Sequence, residues 1–239
     1  MASAYLRWLH RNEQPEQPLV LTPAQKRKNW WDYHKWHVVL GAAMLAIAGS
    51  VLWDASGIGK PVPDYQVAYV GANALPDDTA AALEQGFAAL GEDLNGDGKV
   101  LVRLNQYTSS NEDASVAAAA ATSLMGDILE CESYFFLLEN PERFQEDYHA
   151  LCRLDGSLPQ EASRSAEGTF LSWKQCPVLE GFALGDYSYR FMDRTVTGSS
   201  QALASQLYLA RRGFWTEKAA AYPDGCDRLW DRLTEGAPA

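Results

Sequence analysis

The sequence has few of the side chains and motifs from which catalytic sites are built. Of its four histidines, His10, His34 and His37 lie near the N-terminus, and only His149 lies beyond them. The sequence contains no HExxH, GxSxG or P-loop motif. A Ser-His-Asp or Cys-His site would therefore depend on His149, which falls in a predicted surface helix. We expect a protein that is not an enzyme.

Basic residues are scarce outside the N-terminal segment. The whole chain carries a net charge of −11, from 20 Lys and Arg against 31 Asp and Glu. Residues 1–53 hold six bases and three acids, a net +3, so the remaining 186 residues carry −14. Nucleic acids and anionic lipid surfaces would repel so acidic a region, because both are polyanions. Nucleic-acid binding is therefore not expected.

Cysteines are few and do not have the spacing of a metal site. No CxxC pair occurs, and the four cysteines are irregularly spaced, at Cys131, Cys152, Cys176 and Cys226. An even number outside the cytoplasm permits disulfides. Small buried thiols are the alternative, and the sequence leaves both interpretations open.

The chain has a single long apolar run. The sixteen residues from Val38 to Trp53 carry no charge, and counting from Trp36 extends the run to eighteen. A helix of eighteen residues is roughly 27 Å long, close to the hydrocarbon thickness of a bilayer. Tryptophans at both ends suit the membrane interface. The run predicts a transmembrane helix that contacts the lipid bilayer through residues 37–53, with a buried core helix as the alternative.

The charges that flank this run predict its orientation. Four bases precede it, Lys26, Arg27, Lys28 and Lys35, whereas Asp54 follows it directly. The positive-inside rule places the N-terminus in the cytoplasm and the C-terminal domain on the extracellular side of a bacterial cell membrane. A cleaved signal peptide fits less well, because the charged lead is long and no small-x-small site follows. We divide the chain into a cytoplasmic basic and Trp-rich lead (1–36), the span (37–53), a stalk (54–64) and an extracytoplasmic α/β domain (65–239).

Predicted strands and helices alternate between Tyr65 and Leu151. Short runs rich in apolar and β-favouring residues predict the strands Tyr65–Val70, Val100–Tyr107 and Ser133–Leu138. Helical spacing of apolar residues predicts helices that begin at Pro76, Asn111 and Asn140. The second of them has Val116, Ala120, Leu124 and Ile128 on its inner face. Strands joined by helices are parallel. The predicted fold is α/β, a three-layer sandwich with a mostly parallel open sheet.

The pattern weakens after Cys152. Aromatic residues at alternate positions predict an edge strand within Phe182–Met192. Ser199 or Ser200 is a predicted cap for a helix whose inner face holds Leu203, Leu207 and Ala210. A short closing helix is predicted at Asp227–Thr234.

The segment DLNGDGKV resembles the first half of a calcium-binding loop. Asp93, Asn95 and Asp97 occupy positions 1, 3 and 5, and a glycine follows at position 6. Position 12, an acid in a complete loop, is Leu104. Two interpretations stay open: weakly bound calcium, or a tight turn in which Asp and Asn side chains bond to the backbone. No other cofactor is predicted.

Polar residues follow the three predicted strands, where open α/β sheets bind their ligands. The loops there offer hydroxyl, amide and carboxylate groups from Asn73, Ser109, Ser110, Asn111 and Glu139. Together with helix N-termini they suit a small polar or anionic ligand. Ordinary polar loops and helix caps are the alternative. Near the C-terminus, Arg211 and Arg212 beside Phe214 and Trp215 suggest either a site for an anion or a π face, or the solvated end of a helix.

The run from Tyr65 to Leu151 resembles the first lobe of bacterial extracellular solute-binding proteins, the receptors of ABC importers. The resemblance rests on the strand YQVAYVG, the alanine-rich helix AAAAATSLMGDILE and the segment SYFFLLENPERF. Such receptors have two lobes, whereas the outer part of this chain has 186 residues. The resemblance therefore implies a single-lobe, signal-anchored relative that binds a protein partner or a small polar ligand. An accessory or structural subunit of a membrane complex is the second hypothesis.

Overall fold

The computed structural model describes residues 21–55, 61–109, 114–159, 165–214 and 218–238. The chain divides into two compact units, Met1–Lys60 and Pro61–Ala239. The described part of the first unit holds one helix, and the second unit holds all the described strands and the other described helices.

Helix α1 of the first unit extends over 33 residues, from Pro23 to Ala55. Thr22 and Gln25 fix its start, because the Thr22 hydroxyl accepts a hydrogen bond from Gln25 N and the Gln25 side chain accepts one from Thr22 N. The part Pro23–Trp53 is long and apolar enough to cross a membrane, and none of its most apolar window is buried within the described protein. The helix thus begins well before the predicted span and includes Trp30, Trp31 and Trp36 of the predicted lead.

The second unit contains a five-stranded mixed sheet. Its strands are β1 (Tyr65–Gly71), β2 (Val102–Thr108), β3 (Phe135–Leu138), β4 (Phe170–Ser172) and β7 (Tyr208–Arg211). Their order across the sheet is β2-β1-β3-β7-β4. Strand β1 pairs in parallel with β2 and β3, whereas β7 is antiparallel to both β3 and β4. The expected parallel pairing is therefore found in the first three strands, and the other half of the sheet is antiparallel.

The described helices of the second unit are α2 (Asp77–Leu90), α3 (Ala114–Glu130), α4 (Pro141–Tyr148), α5 (Pro177–Glu180), α6 (Ser200–Ala204) and α7 (Pro223–Leu233). Helix α4 begins as its sequence predicts. The Asn140 side chain accepts a hydrogen bond from Arg143 N at 3.0 Å, and a proline occupies the first turn. Helix α2 buries Leu83 and Phe87, in agreement with their spacing.

Alternate residues of the central strands enter two different hydrophobic clusters. In β1, Val67 and Tyr69 belong to one cluster and Ala68 belongs to the other. The first cluster also contains residues of α2 and α7, and the second contains residues of α3 and α4. Because neighbouring side chains of a strand point to opposite faces, apolar residues are buried on both faces of the central strands.

The predicted edge strand within Phe182–Met192 lies outside the main sheet. Strand β5 (Asp186–Phe191) pairs with β6 (Arg194–Ser199) in a separate antiparallel ribbon. The two strands are joined at Met192 and Asp193, and Met192 has a left-handed φ of 53°. Because only two residues separate β5 from β6, bringing the two strands together costs little chain entropy. Pairing with this neighbour is therefore favoured over pairing with the main sheet.

The predicted helix after Ser199 is much shorter than its apolar spacing indicates. Ser199 does cap α6, since its hydroxyl accepts a hydrogen bond from Ala202 N at 3.4 Å. The helix ends at Ala204, and Ala210 lies in strand β7. Strand β7 is paired on both sides, with β3 and β4. Its apolar residues are buried on both faces of the sheet, a pattern that spacing alone does not separate from a helix.

The N-terminal part of α3 also differs from its predicted packing. Leu124 and Ile128 are buried as expected. Ala120 is only half-buried, and the Val116 side chain is 53% exposed. Only the last turns of this alanine-rich helix contribute to the core, so its first turns leave an apolar surface in contact with solvent.

Candidate functional site

The carboxyl ends of the three parallel strands border two shallow cavities. One has a volume of about 330 Å³ and is lined by Ser109, Glu139 and Arg143, among others. The other has a volume of about 360 Å³, is lined by Asn73 and also contacts Glu139. The structure thus brings three of the five predicted ligand residues to one edge of the sheet. Ser110 and Asn111 lie outside the described residues.

Glu139 joins the ends of strands β1 and β3. Its Oε1 accepts a hydrogen bond from the Tyr69 hydroxyl at 2.7 Å, and its Oε2 accepts one from Ala72 N at 2.8 Å. The same hydroxyl lies 2.9 Å from the Asn73 carbonyl oxygen. Burial raises the pKa of Tyr69 well above its usual value, and the hydrogen bond to Glu139 raises it further. The phenol therefore stays protonated and donates to this carboxylate.

Gly71 permits this arrangement. A Cβ atom at Gly71 would lie 2.7 Å from the Glu139 carboxyl carbon, and still closer to the Tyr69 hydroxyl. Any larger residue would have to displace one of the two side chains. The predicted ligand residue Glu139 consequently has a structural partner for each of its carboxylate oxygens.

The remaining polar groups at this edge are lightly engaged. The Ser109 hydroxyl lies 3.5 Å from the Gly71 carbonyl oxygen, at the limit of a hydrogen bond. The exposed Arg143 guanidinium lies 3.5 Å from the Asp147 carboxylate. This edge therefore offers polar groups that can form hydrogen bonds. Its charged side chains already have partners: Arg143 faces Asp147, and Glu139 accepts hydrogen bonds from Tyr69 and from the backbone.

The segment that resembles a calcium loop is closed by hydrogen bonds to its own backbone. Asp93 accepts hydrogen bonds from the N–H groups of Gly96, Asp97 and Gly98. Asn95 accepts one from Asp97 N, and Asp97 accepts one from Lys99 N. Among the described residues, no group of three His, Cys, Asp or Glu side chains is placed to hold a metal ion. The geometry is that of a turn held by side-chain-to-backbone bonds.

Asp64 holds the same loop against the start of β1, and sequence reasoning missed it. Its side chain is buried and accepts hydrogen bonds from Leu94 N and Leu101 N at 2.8 Å, and from Asn95 N at 3.0 Å. An acid directly before a predicted strand was the available signal, but its partners lie some thirty residues away.

A larger cavity lies at the opposite edge of the sheet, near the amino end of β3 and the carboxyl end of β7. Its volume is about 530 Å³, and its lining includes Tyr134, Arg211, Arg212 and Phe214. Arg211 pairs with Phe135 in the ladder between β7 and β3, which places both arginines at the end of β7. Their side chains are only 9% and 7% exposed. The interpretation of a solvated helix end is therefore wrong, because this segment completes a buried strand.

Arg211 has several partners within the protein. Its Nη1 lies 3.2 Å from Asp227 Oδ1, and its Nη2 donates to the Leu154 carbonyl oxygen at 2.8 Å. Its guanidinium carbon lies 4.9 Å from the centre of the Trp230 ring, within the range of a cation–π contact. The Tyr134 hydroxyl also donates to Asp227. Burial raises the pKa of Tyr134 above its usual value, and the bond to Asp227 raises it further.

Arg212 is less well satisfied. Its Nη2 donates to the Ile128 carbonyl oxygen in the last turn of α3. Its guanidinium carbon lies 5.7 Å from the centre of the Phe214 ring. Its Nε and Nη1 are buried and have no hydrogen-bond partner, and the Nε of Arg211 is in the same state. The ion pairs of the described residues do not include Arg212.

The four cysteines are buried free thiols. Burial raises the pKa of Cys152, that of Cys176 to about 11 and that of Cys226 to about 12. Cys152 lines the large cavity beside the arginines. The sequence left open disulfides or buried thiols, and in the structure all four cysteines are buried thiols.

His149 is not placed as a general base of either described edge. It follows the last turn of α4 with a left-handed φ of 50°, and it lines neither the cavities at the carboxyl ends nor the one beside the arginines. No family model, curated protein or solved structure matches the chain. The geometry of the two edges is therefore the basis for a functional proposal.

Proposed function

We propose that the chain is a membrane-anchored binding module, held in the lipid bilayer by residues 37–53 with its acidic domain outside the cytoplasm. The observation that carries the proposal is the unburied apolar window of α1. Large apolar side chains such as Leu45 and Leu52 are 77% and 70% exposed there. Water would make such a surface costly, whereas hydrocarbon removes the cost. The bases before the window and the acidic character after it support a cytoplasmic N-terminus.

The α/β unit is the binding part of this proposal. Apolar clusters on both faces of the central strands support a three-layer arrangement, comparable to one lobe of a solute-binding protein. The two cavities that share Glu139 lie at the carboxyl ends of parallel strands, where such sheets bind ligands. Because the charges there are already engaged, the ligand that fits is a neutral polar molecule that bonds to Ser109 in one cavity or to Asn73 in the other.

A non-enzymatic role is part of the proposal. His149 is not among the residues that line these cavities, and the Tyr69 phenol donates a hydrogen bond to the Glu139 carboxylate. A general acid or base must exchange a proton with the substrate. Here the phenol and the carboxylate are bonded to each other and link the ends of two strands, so neither is available for that exchange.

The second candidate is an accessory subunit of a membrane complex. The observation that favours it is an exposed apolar pair on one face of α3, Met125 and Leu129, which are 42% and 65% exposed. Apolar side chains gathered on one helix commonly mark a protein interface. In that case the bilayer anchor would bring α3 to a protein partner.

The anchor is tested on the full chain expressed in bacteria. Membranes are washed with alkaline carbonate, and protease is added to intact spheroplasts. The proposal predicts that the protein stays in the membrane pellet and that protease removes the C-terminal domain. A protein that is soluble after lysis without detergent, or a domain protected in intact spheroplasts, contradicts it.

The binding role is tested by thermal unfolding of the full chain in detergent micelles, with D-glucose and D-ribose as neutral polar probes. A ligand that binds only the folded state raises the melting temperature. The proposal predicts a shift in the wild type that Ser109→Val removes and that Ser188→Val, an exposed position on β5, leaves unchanged. No shift with either sugar, together with stable co-purification of one membrane protein, supports the accessory subunit instead.

A further inference from the structure

The most unusual group of the second unit is the buried guanidinium of Arg212. It is 7% exposed, and its Nε and Nη1 donors have no partner. A buried charge that lacks a counter-ion is strongly unfavourable. Lysine and histidine relieve such a cost by losing the proton, whereas arginine keeps its charge in proteins. Among the described residues, no acceptor bonds to these two donors.

The neighbouring arginine, Arg211, has the counter-ion that Arg212 lacks. Arg211 faces Asp227 at 3.2 Å, and Tyr134 donates to the same carboxylate. That acid is consequently engaged on two sides and is not available to Arg212. Among the described residues, Arg211 thus has an ion-pair partner in this cavity, whereas Arg212 has none and donates only to the Ile128 carbonyl oxygen.

The rest of the lining restricts the kind of anion. Leu158 and Pro223 are apolar, and Phe214 lies against the Arg212 guanidinium. Asp155 and Asp231 also line the cavity. These two carboxylates disfavour a multiply charged anion such as phosphate, because like charges repel at short range. A single negative charge joined to an apolar body fits both parts of the lining.

We propose that this cavity binds the carboxylate of a small monocarboxylic acid, with Arg212 as the group that holds it. A volume of about 530 Å³ lies within the usual range for small-molecule sites. The charged N–H donors of arginine form short, strong hydrogen bonds with carboxylate oxygens. The apolar part of the acid lies against Leu158 and Pro223. This site is at the opposite edge from the neutral-ligand site, so neither depends on the other.

The test is thermal unfolding and calorimetric titration of the full chain in detergent micelles at constant ionic strength. The probes are the sodium salts of acetate, butyrate and benzoate, with phosphate as the doubly charged comparison. We expect the melting temperature to rise with the three carboxylates in that order, since each step buries more apolar surface, and to stay unchanged with phosphate.

Arg212→Gln removes the charge and leaves a shorter, neutral polar side chain. Loss of a hydrogen bond to a charged group predicts a Kd for benzoate that is about 10-fold to 100-fold weaker. Arg190→Gln, at an exposed position on β5, is the matched control and leaves the Kd unchanged. Equal affinity of the wild type and Arg212→Gln overturns the proposal, as does the absence of any carboxylate effect or a stronger effect of phosphate.

A second pair of variants keeps the test decisive if Arg212→Gln does not fold. Leu158 is 42% exposed at the cavity, so Leu158→Trp narrows the cavity without touching the arginines. Met192→Trp is the control, at an exposed position between β5 and β6 that does not line the cavity. Weaker benzoate binding by Leu158→Trp than by Met192→Trp supports the site, and equal binding by the two variants overturns it.

Discussion

The buried acids and the buried arginines of the α/β unit are satisfied to very different degrees. Asp64 accepts three backbone hydrogen bonds, between 2.8 and 3.0 Å. Asp127 accepts bonds from Ser133 N, the Ser133 hydroxyl and the Tyr107 hydroxyl. Arg211 and Arg212, at a similar depth, keep three nitrogen atoms without partners.

This difference in hydrogen bonding distinguishes buried charges that stabilise the fold, the framework, from those that can bind a ligand, the site. A buried charge whose bonding capacity is filled fixes the geometry of the backbone around it. A buried charge with unfilled capacity lowers stability and becomes favourable only when a ligand arrives. We therefore interpret the surroundings of Asp64 and Asp127 as framework and those of Arg212 as a binding site.

The largest expected effect is at Asp64. Asp64→Ala leaves the N–H groups of Leu94, Asn95 and Leu101 without their acceptor, and we expect a loss of about 3 kcal/mol in the free energy of unfolding. Urea unfolding of the full chain, followed by circular dichroism, measures it. Asp186→Ala, at an exposed position of β5, is the control and changes stability little. An equally small loss of unfolding free energy in both variants would show that Asp64 is not part of the framework.

The two arginines differ in their expected response to the same change. Arg211→Met breaks the ion pair with Asp227 and the bond to Leu154, so we expect a loss of about 2 kcal/mol. Arg212→Met removes an unpaired buried charge together with one hydrogen bond, and we expect stability within about 1 kcal/mol of the wild type without ligand. Urea unfolding of both variants tests this order, and a larger loss for Arg212→Met reverses the interpretation.

The thiols provide a test that depends on pH. Because burial raises the pKa of Cys176 to about 11 and that of Cys226 to about 12, the folded state holds thiol protons that the unfolded state releases earlier. Their contribution to stability is complete below the thiol pKa of the unfolded chain and is lost as the pH rises through 11 to 12. At neutral pH, iodoacetamide should modify these cysteines only after denaturant is added. Modification of the native protein at both positions would show that they are not buried.

The smallest effect concerns a partly exposed acid between α2 and α7. Hydrogen bonds from Arg228 and Arg232 hold the pKa of Glu92 below its usual value. The stabilisation is present above the carboxyl pKa of the unfolded chain and is lost as the pH falls through the lower folded-state value. We expect Glu92→Gln to melt slightly below the wild type at neutral pH and to approach it in acid. A constant difference across the acid range contradicts the ion pair as its cause.

The first half of the domain was the easier half to predict. Strands and helices alternate there, and local signals such as Asn140 followed by Pro141 mark where a helix begins. Parallel pairing of β1 with β2 and β3 follows from that alternation. The carboxyl-edge location of Asn73, Ser109 and Glu139 follows from it as well.

The second half depended on contacts that spacing does not contain. The residues from Leu203 to Ala210 fit a helix by periodicity, yet β7 fills the gap between β3 and β4. Strand β4 has only three residues, too few for an apolar pattern. The burial of Arg212 was not predictable either, because two adjacent arginines usually indicate solvent. The apolar residues on both sides of the pair were the only local signal.

The most direct test of the distinction between framework and site is hydrogen–deuterium exchange of the full chain in lipid nanodiscs, with and without benzoate. The account predicts slower exchange at residues 152–158, 211–214 and 223–231, which border the arginine cavity. Exchange at residues 71–76 and 139–148, at the other edge, should not change. Protection of the carboxyl-edge loops instead, or of neither edge, would contradict the assignment of Arg212 as a ligand-binding group.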